Sequence, residues 1–328
     1  MLKVTNISFN YPGQEHFPGL QNFSLELDRS EVLAIVGKSG SGKTTVLKCI
    51  YGLEDLKEGR ITLDGEEITG PAYNLIPGHH QMGLVSQDYY VLDNHTVTEN
   101  ITDKLTGFSN YEKNKRALRL LRLLDLLPLK DSRACQLSSG QKQRVAIARA
   151  LAVIPEVLLL DEAFNNLDKP LADKLFAFIV AEVRKKRSAL ILITHLAEEA
   201  LKYADKLIVM DKGRIVQQGK TWEVYYNPKN SRLAGLLGTY NILKEEDLAN
   251  VSRLGAQRAR LFVRPDHIKT CKDAAQSDLY MKVTSSVYNG KCYELSGETS
   301  AGNTLTIYHS NAIEVGEIAW LQLPKKDE

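Results

Sequence analysis

Glu31-Val32-Leu33-Ala34-Ile35-Val36-Gly37 runs without a break into Lys38-Ser39-Gly40-Ser41-Gly42-Lys43-Thr44, and Thr45 to Leu53 continue as TVLKCIYGL. The first stretch has the apolar, β-rich composition of a strand covered on both faces. Gly37 to Thr44 has the spacing of a glycine, four residues, then Gly-Lys-Ser/Thr, and the segment after it predicts a helix. That chemistry needs glycines, because backbone N–H groups must turn inward around phosphate oxygens. The helix N-terminus adds its partial positive charge. In such a loop Lys43 reaches the β- and γ-phosphates, and the Thr44 hydroxyl ligates Mg²⁺.

Working outward, Val157-Leu158-Leu159-Leu160-Asp161-Glu162 is a second apolar strand, ending in two carboxylates. Beside a phosphate loop, Asp161 is placed to hold Mg²⁺, and Glu162 to polarise an attacking water. Ala189 to Thr194, ALILIT, reads as a third buried strand. Strands alternating with helix-like segments predict a parallel α/β sheet over residues 1 to about 238. Glu112 to Leu127, EKNKRALRLLRLLDLL, has leucines at helical spacing and predicts a helix stopping at Pro128. The opening residues MLKVTNISF read as an edge strand and lack the apolar core of a secretion signal.

The chain has 328 residues, enough for two domains, with 43% hydrophobic and 25% charged residues. Those are globular values and exclude a disordered chain. Lys+Arg number 42 and Asp+Glu 40, a formal net charge of +2, which gives no reason to expect nucleic acid as a partner. Cys49, Cys135, Cys271 and Cys292 form no CxxC pair, so they suggest neither a zinc site nor a disulfide framework. The best apolar runs, Val157 to Leu160 and Ala189 to Ile193, fall far short of the roughly 20 residues of a spanning helix. Any membrane crossing falls to another subunit.

Leu137-Ser138-Ser139-Gly140-Gln141 precedes the helical run KQRVAIARAL, with Ser138 as its candidate N-cap. This closely resembles the LSGGQ signature of ABC-transporter ATPases. The resemblance covers essentially all of residues 1 to 230. It implies a phosphate-loop NTPase core with a helical subdomain at about residues 89 to 134. It also implies that Ser138, Gly140 and Gln141 close over the γ-phosphate of ATP held by a second copy, in a head-to-tail dimer. Nucleotide contacts are implied for Gly37, Lys38, Ser39, Gly40, Ser41, Gly42, Lys43, Thr44 and Thr45. Tyr11, in FNYPG, stands where the family stacks an aromatic ring on adenine. Gln87, in VSQD, resembles the glutamine that touches Mg²⁺ and the attacking water; TVTENI (residues 96 to 101) resembles the stretch that follows it. Asp168, in NNLD, resembles the aspartate of the dimer-contact loop. His195, in ITHLAEEAL, resembles the switch histidine that meets the γ-phosphate. The implied catalytic set is Glu162, His195 and Gln87, and the implied metal set is Thr44, Gln87 and Asp161. The sequence departs from the family pattern at Ser139, Ala163, Asn165, Asn166 and Leu196. None of these removes a phosphate, metal or base ligand, so they bear on the rate.

From about residue 260 the pattern changes. LYMKVTSSVY, KCYELSGET, NTLTIYH and IAWLQL are short alternating segments separated by Gly or Asn, as in a small β-barrel or sandwich. Val263-Arg264-Pro265-Asp266-His267-Ile268 resembles the opening of the TOBE regulatory domain of bacterial importer ATPases, so residues 260–328 are expected as a small all-β, OB-like domain. Residues 239–259 between them are charged and read as a helical connector, and the KKDE tail as frayed. The expectation is an ATP-hydrolysing subunit of a bacterial importer, using ATP and Mg²⁺. It would sit peripherally on the cytoplasmic face of the membrane, with integral permease subunits, a second copy of itself and, indirectly, an extracytoplasmic solute-binding protein as partners. The resemblance in the tail leans towards iron, polyamines or other small solutes as cargo. The rivals are a soluble ABC-type ATPase acting on ribosomes or DNA, an exporter ATPase, a phosphate-loop kinase and a non-enzymatic regulatory module. A kinase should lack LSSGQ and the switch histidine. A soluble ABC ATPase usually carries two cores or a long coiled-coil insertion.

Overall fold

The structure, a computed structural model, describes residues 1–13, 18–86, 90–165, 167–248 and 260–324. It divides into two compact units, Met1–Thr221 and Trp222–Glu328.

The first unit contains strands β1 (Leu2–Asn10), β2 (Pro18–Leu27), β3 (Val32–Gly37), β4 (Glu58–Leu63), β5 (Glu66–Ile68), β6 (Met82–Val85), β7 (Val157–Asp161), β8 (Ala189–Ile193), β9 (Lys206–Asp211) and β10 (Arg214–Lys220). Its helices are α1 (Lys43–Tyr51), α2 (Val97–Thr102), α3 (Asn110–Leu123), α4 (Ser139–Ala152), α5 (Lys169–Lys186) and α6 (Ala197–Tyr203). The central sheet has the order β10-β9-β3-β8-β7-β6. All its pairings are parallel except β9 with β10. A second, antiparallel sheet has the order β2-β1-β4-β5.

The central strands are apolar throughout because each face needs its own cover. Val157, Leu159, Ile191 and Ile193 pack on one side with α1 and the antiparallel sheet. Leu158, Leu160, Leu190 and Leu192 pack on the other with residues of α2 to α5. The period-2 alternation of strand side chains makes this split. β1 is not an edge strand, as the sequence suggested. It pairs with β2 and with β4, and so buries Leu2, Val4, Ile7 and Phe9. α3 stops at Leu123, before Pro128, because Asp125 takes a left-handed φ of 53° and a single 3₁₀ turn carries the proline.

The second unit takes in most of α7 (Thr221–Tyr226), α8 (Ser231–Leu236), β11 (Asn241–Lys244), α9 (Glu245–Leu248) and β12 (Arg260–Val263). Its larger sheet is formed by β13 (Lys269–Cys271), β14 (Leu279–Tyr288), β15 (Tyr293–Thr299), β16 (Thr304–His309) and β17 (Ile318–Gln322). That sheet is antiparallel with the order β13-β17-β14-β15-β16, and the alternating segments of the sequence supply its four longest strands. The division between units falls at residue 221, ahead of the expected 238. The reason is that α8 and the turn after it are tied to Arg264 in the second unit. Within the expected helical connector, Asn241–Lys244 is instead a strand, and Glu245–Leu248 is the short helix α9. Asn241–Lys244 pairs with β12, and the buried Asn241 amide exchanges two 2.7 Å bonds with the Thr306 backbone. This tertiary pairing sets the conformation of Asn241–Lys244. The rest of that stretch, residues 249–259, and the KKDE tail lie outside the described residues.

Arg264 is 2% exposed and faces carbonyls instead of carboxylates. Its Nη1 donates to the carbonyls of Ala234, Gly238 and Thr239, and its Nε to that of Tyr225. The guanidinium also lies 4.1 Å from the Tyr225 ring centroid. Arg264→Leu leaves several buried acceptors unpaired, so it should destabilise the second unit by about 2–4 kcal/mol. Urea unfolding followed by hydrogen exchange in β14 to β16 checks this. Wild-type protection there would refute it.

Candidate active site

Parallel register brings the chemistry to one edge. Ile35 of β3 stands level with Ile193 of β8, and Ile193 with Asp161 of β7. The residues that follow these positions therefore leave the sheet together at its carboxyl end. They are Gly37 to Thr44, Thr194 with His195, and Glu162. This is where ligands bind in open α/β sheets.

Glycine is required in the loop for two separate reasons. Gly42 caps α1 with φ 97°, in the left-handed region. A Cβ there would also lie 2.9 Å from the Gly19 carbonyl oxygen, and one on Gly213 (φ 74°) would lie 2.7 Å from the same oxygen. Three backbones thus touch with no side chain between them. Lys43 is 6% exposed, and its Nζ donates to the carbonyls of Gly37 (2.9 Å) and Lys38 (3.1 Å). Burial lowers its pKa from the ordinary lysine value, with Glu162 and Asp161 opposing that shift. Among the described residues the buried Ser41 hydroxyl has no hydrogen-bond partner, a polar atom left over in a loop built to bind.

Beside the loop lies a cavity of about 1220 Å³. Tyr11, Ser39 to Thr45, Glu162 and the turn Lys212–Arg214 contribute to its lining. The Tyr11 hydroxyl is 2.8 Å from Thr45 Oγ1, which fixes the ring at the rim. Asp161 is buried near the Thr44 side chain. Burial raises its pKa above the usual carboxylate value, and the Thr44 hydroxyl is the main opposing influence. Glu162 sits at φ 49°, sparsely populated for a non-glycine residue. Its Oε2 lies 3.7 Å from His195 Nδ1. The histidine's own loop is held by two bonds, Thr194 Oγ1 to Glu199 Oε2 (2.6 Å) and Leu196 N to Thr194 Oγ1 (3.0 Å).

The fit to a triphosphate is good: a glycine cradle, a buried lysine and a helix start face one cavity. The fit to Mg²⁺ rests on the donor set, since the Thr44 hydroxyl and the Asp161 carboxylate are neighbouring hard oxygen ligands. Among the described residues no group of three or more His, Cys, Asp or Glu side chains could hold a metal ion without a co-ligand.

Other residues singled out in the sequence are placed elsewhere. Among the described residues Ser138, Gly140, Gln141 and Asp168 do not line the cavity. Ser138 caps α4 reciprocally with Gln141: its Oγ accepts from Gln141 N (3.3 Å), and its own N donates to Gln141 Oε1 (2.9 Å). Asp168 precedes α5 and makes no side-chain cap bond. Gln87 and Asn166 lie outside the described residues. Two groups at the site carried no motif signal. Gln143 reaches from α4 to the Ala163 carbonyl (2.8 Å), and Arg214 clamps the Gln21 side chain at the rim. Only a contact map would have found them.

The family model described as ABC transporter matches residues 20–165. The methionine import ATP-binding protein MetN of Rhizobium etli is 38% identical over 224 residues, covering 67% of this chain and 62% of that protein. The sulfate/thiosulfate import ATP-binding protein CysA of Acinetobacter baylyi is 37% identical over 286 residues, covering 81% and 79%. The spermidine/putrescine import ATP-binding protein PotA of Clostridioides difficile is 32% identical, covering 96% and 93%. The chain spans 62% to 64% of the length of the first relatives it matches. Among solved structures, a dimeric ATP-binding cassette in a post-hydrolysis state with ADP and Pi aligns with TM-score 0.60 and 27% identity, over 67% of this chain and 99% of that one. An ATP-binding subunit of an ABC transporter aligns with TM-score 0.62 and 26% identity, over 73% and 95%. At 37% identity over 79% of the Acinetobacter protein, the chain belongs to the ABC transporter family of ATP-binding proteins.

Proposed function

We propose that this chain binds and hydrolyses ATP to drive solute import through a separate membrane permease. The observation that carries this reading is the one cavity that Ser39 to Thr45 and Glu162 line together, with the buried Asp161 close to Thr44 beside it. Backbone N–H groups of the loop and the Lys43 ammonium hold the β- and γ-phosphates, and Tyr11 stacks on the base. Thr44 and Asp161 would hold Mg²⁺, with Gln87 as a further ligand; the ion would neutralise charge on the phosphate oxygens. Glu162 takes a proton from the attacking water at a carboxylate oxygen, and His195 orients the terminal phosphate. Most of the rate comes from positioning and charge neutralisation, as in other phosphoryl transfers.

A second copy would complete the site. Ser138 and Gly140 begin a 14-residue helix, and they stand outside their own chain's cavity. A neighbour's γ-phosphate would meet that helix start, and Asp168 would lie in the seam. A groove of about 340 Å³ lined by Tyr51, Met82, Leu84, Tyr90, Arg149 and Pro155 would seat a permease segment at the cytoplasmic face of the membrane. No helix among the described residues is long and apolar enough to cross a membrane. The relatives' names span different cargoes, as expected of a subunit whose cavity handles nucleotide and not solute.

Glu162→Gln should keep ATP binding and lower steady-state turnover by about 10²- to 10⁴-fold, the range for a lost general base. Near-normal phosphate release by the purified variant would remove Glu162 from that role. Lys43→Ala should abolish binding in a fluorescent-nucleotide titration, and an unchanged isotherm would count against the loop assignment. Light scattering of the Glu162→Gln variant with ATP should report a dimer, and adding Ser138→Arg should return it to monomer. A dimer that survives Ser138→Arg would rule out the composite site. An affinity-tagged chain should bring down an integral membrane permease; recovery of ribosomes or DNA alone would favour a soluble ATPase.

A further inference from the structure

Phe164 and Asn165 follow the proposed base in a turn that is pinned from both sides. Ala163 and Phe164 are 2% and 5% exposed. Phe164 packs edge-on against Phe176, with centroids 4.3 Å apart, and Phe176 stacks on Tyr203. On the other side Gln143 donates to the Ala163 carbonyl. The turn closes with Asn165 N donating to the Glu162 carbonyl at 3.3 Å. Asn165 is therefore presented by a fixed backbone, and its Nδ2 donates to Glu162 Oε2 at 2.6 Å, a charge-assisted bond. His195 Nδ1 approaches the same oxygen, at 3.7 Å. Among the described residues no hydrogen bond reaches Oε1.

We infer that Asn165 is a positioning residue for the base. Its amide takes Oε2 and sets the carboxylate's rotation, which leaves Oε1 to accept the water's proton. This rests on the reading of Glu162 given above. The physical case is that Glu162 starts from a left-handed backbone and has a side chain with three rotatable bonds, so without a fixed donor its carboxylate samples many orientations. A glycine, alanine or serine at position 165 lacks a donor long enough to span that turn. The 2.6 Å bond to Oε2 therefore depends on an amide at this position.

Single-turnover and steady-state hydrolysis by the full chain test this with Asn165→Ala, Asn165→Asp, Glu162→Gln and the double variant Glu162→Gln/Asn165→Ala. Asn165→Ala should lower kcat about 10- to 100-fold, the scale of one hydrogen bond to a charged group, with KM for ATP within about 2-fold. Asn165→Asp keeps the shape but loses the donor, so it should fall as far. In the Glu162→Gln background the alanine substitution should cost less than about 2-fold more, because its effect runs through the carboxylate. The inference is overturned by an unchanged or raised kcat in Asn165→Ala, by wild-type kcat in Asn165→Asp, or by the full loss recurring on top of Glu162→Gln. Wild-type turnover in Glu162→Gln alone would instead sink the reading of the base, and this inference with it. An inert Glu162→Gln beside a fully active Asn165→Ala sinks only the role of Asn165.

Discussion

Everything at the site depends on three neighbouring strands running in the same direction. β3, β8 and β7 lie side by side in parallel, so a phosphate loop, a histidine loop and a carboxylate pair emerge at one edge. An antiparallel arrangement would send one of them to the far end of the sheet, a strand length away. The cost of parallel pairing is burial on both faces, since helical crossovers must cover the sheet. The two hydrophobic clusters on either side of the central sheet meet that requirement, and the buried leucines of α3 to α5 are there largely for it.

Electrostatics then tune what the topology assembles. Lys43 and Asp161 are both buried, and burial disfavours the charged form of each. The lysine is steadied by two loop carbonyls and the aspartate by the Thr44 side chain. Such a site holds strong partial charges without neutralising them internally, which suits it to a ligand bearing several negative charges and a divalent cation. Glu162 stands apart, less enclosed, in a backbone conformation that only a well-anchored turn would maintain.

Much of this was legible in the residues. The octet Gly37 to Thr44 with its flanking strand and helix, and the apolar run ending at Asp161, are local patterns whose chemistry is written in consecutive positions. The C-terminal strands were readable for the same reason: alternation over six to ten residues is a local signal. What escaped was set by tertiary partners. Nothing in MLKVTNISF says whether a strand lies on each side of it. Asn241–Lys244 is a strand whose pairing depends on β12 beyond residue 259 and on the Thr306 backbone. Gln143, from α4, bonds the Ala163 carbonyl and Asn165 bonds Glu162 across a turn, and their residue types alone are neutral. Asp125 ended α3 early through a single left-handed residue, a choice many asparagines and aspartates make without any motif.

The junction of Gly19, Gly42 and Gly213 has a mechanical consequence. Backbones in direct contact leave no compressible side chain to absorb a displacement, and packed protein is stiff at that scale. A side chain on Gly42 or Gly213 would therefore press on the strand carrying Gly19 and force it away from the start of α1 or from the turn between β9 and β10. In engineering terms these three glycines form a bearing surface between the antiparallel sheet and the phosphate loop.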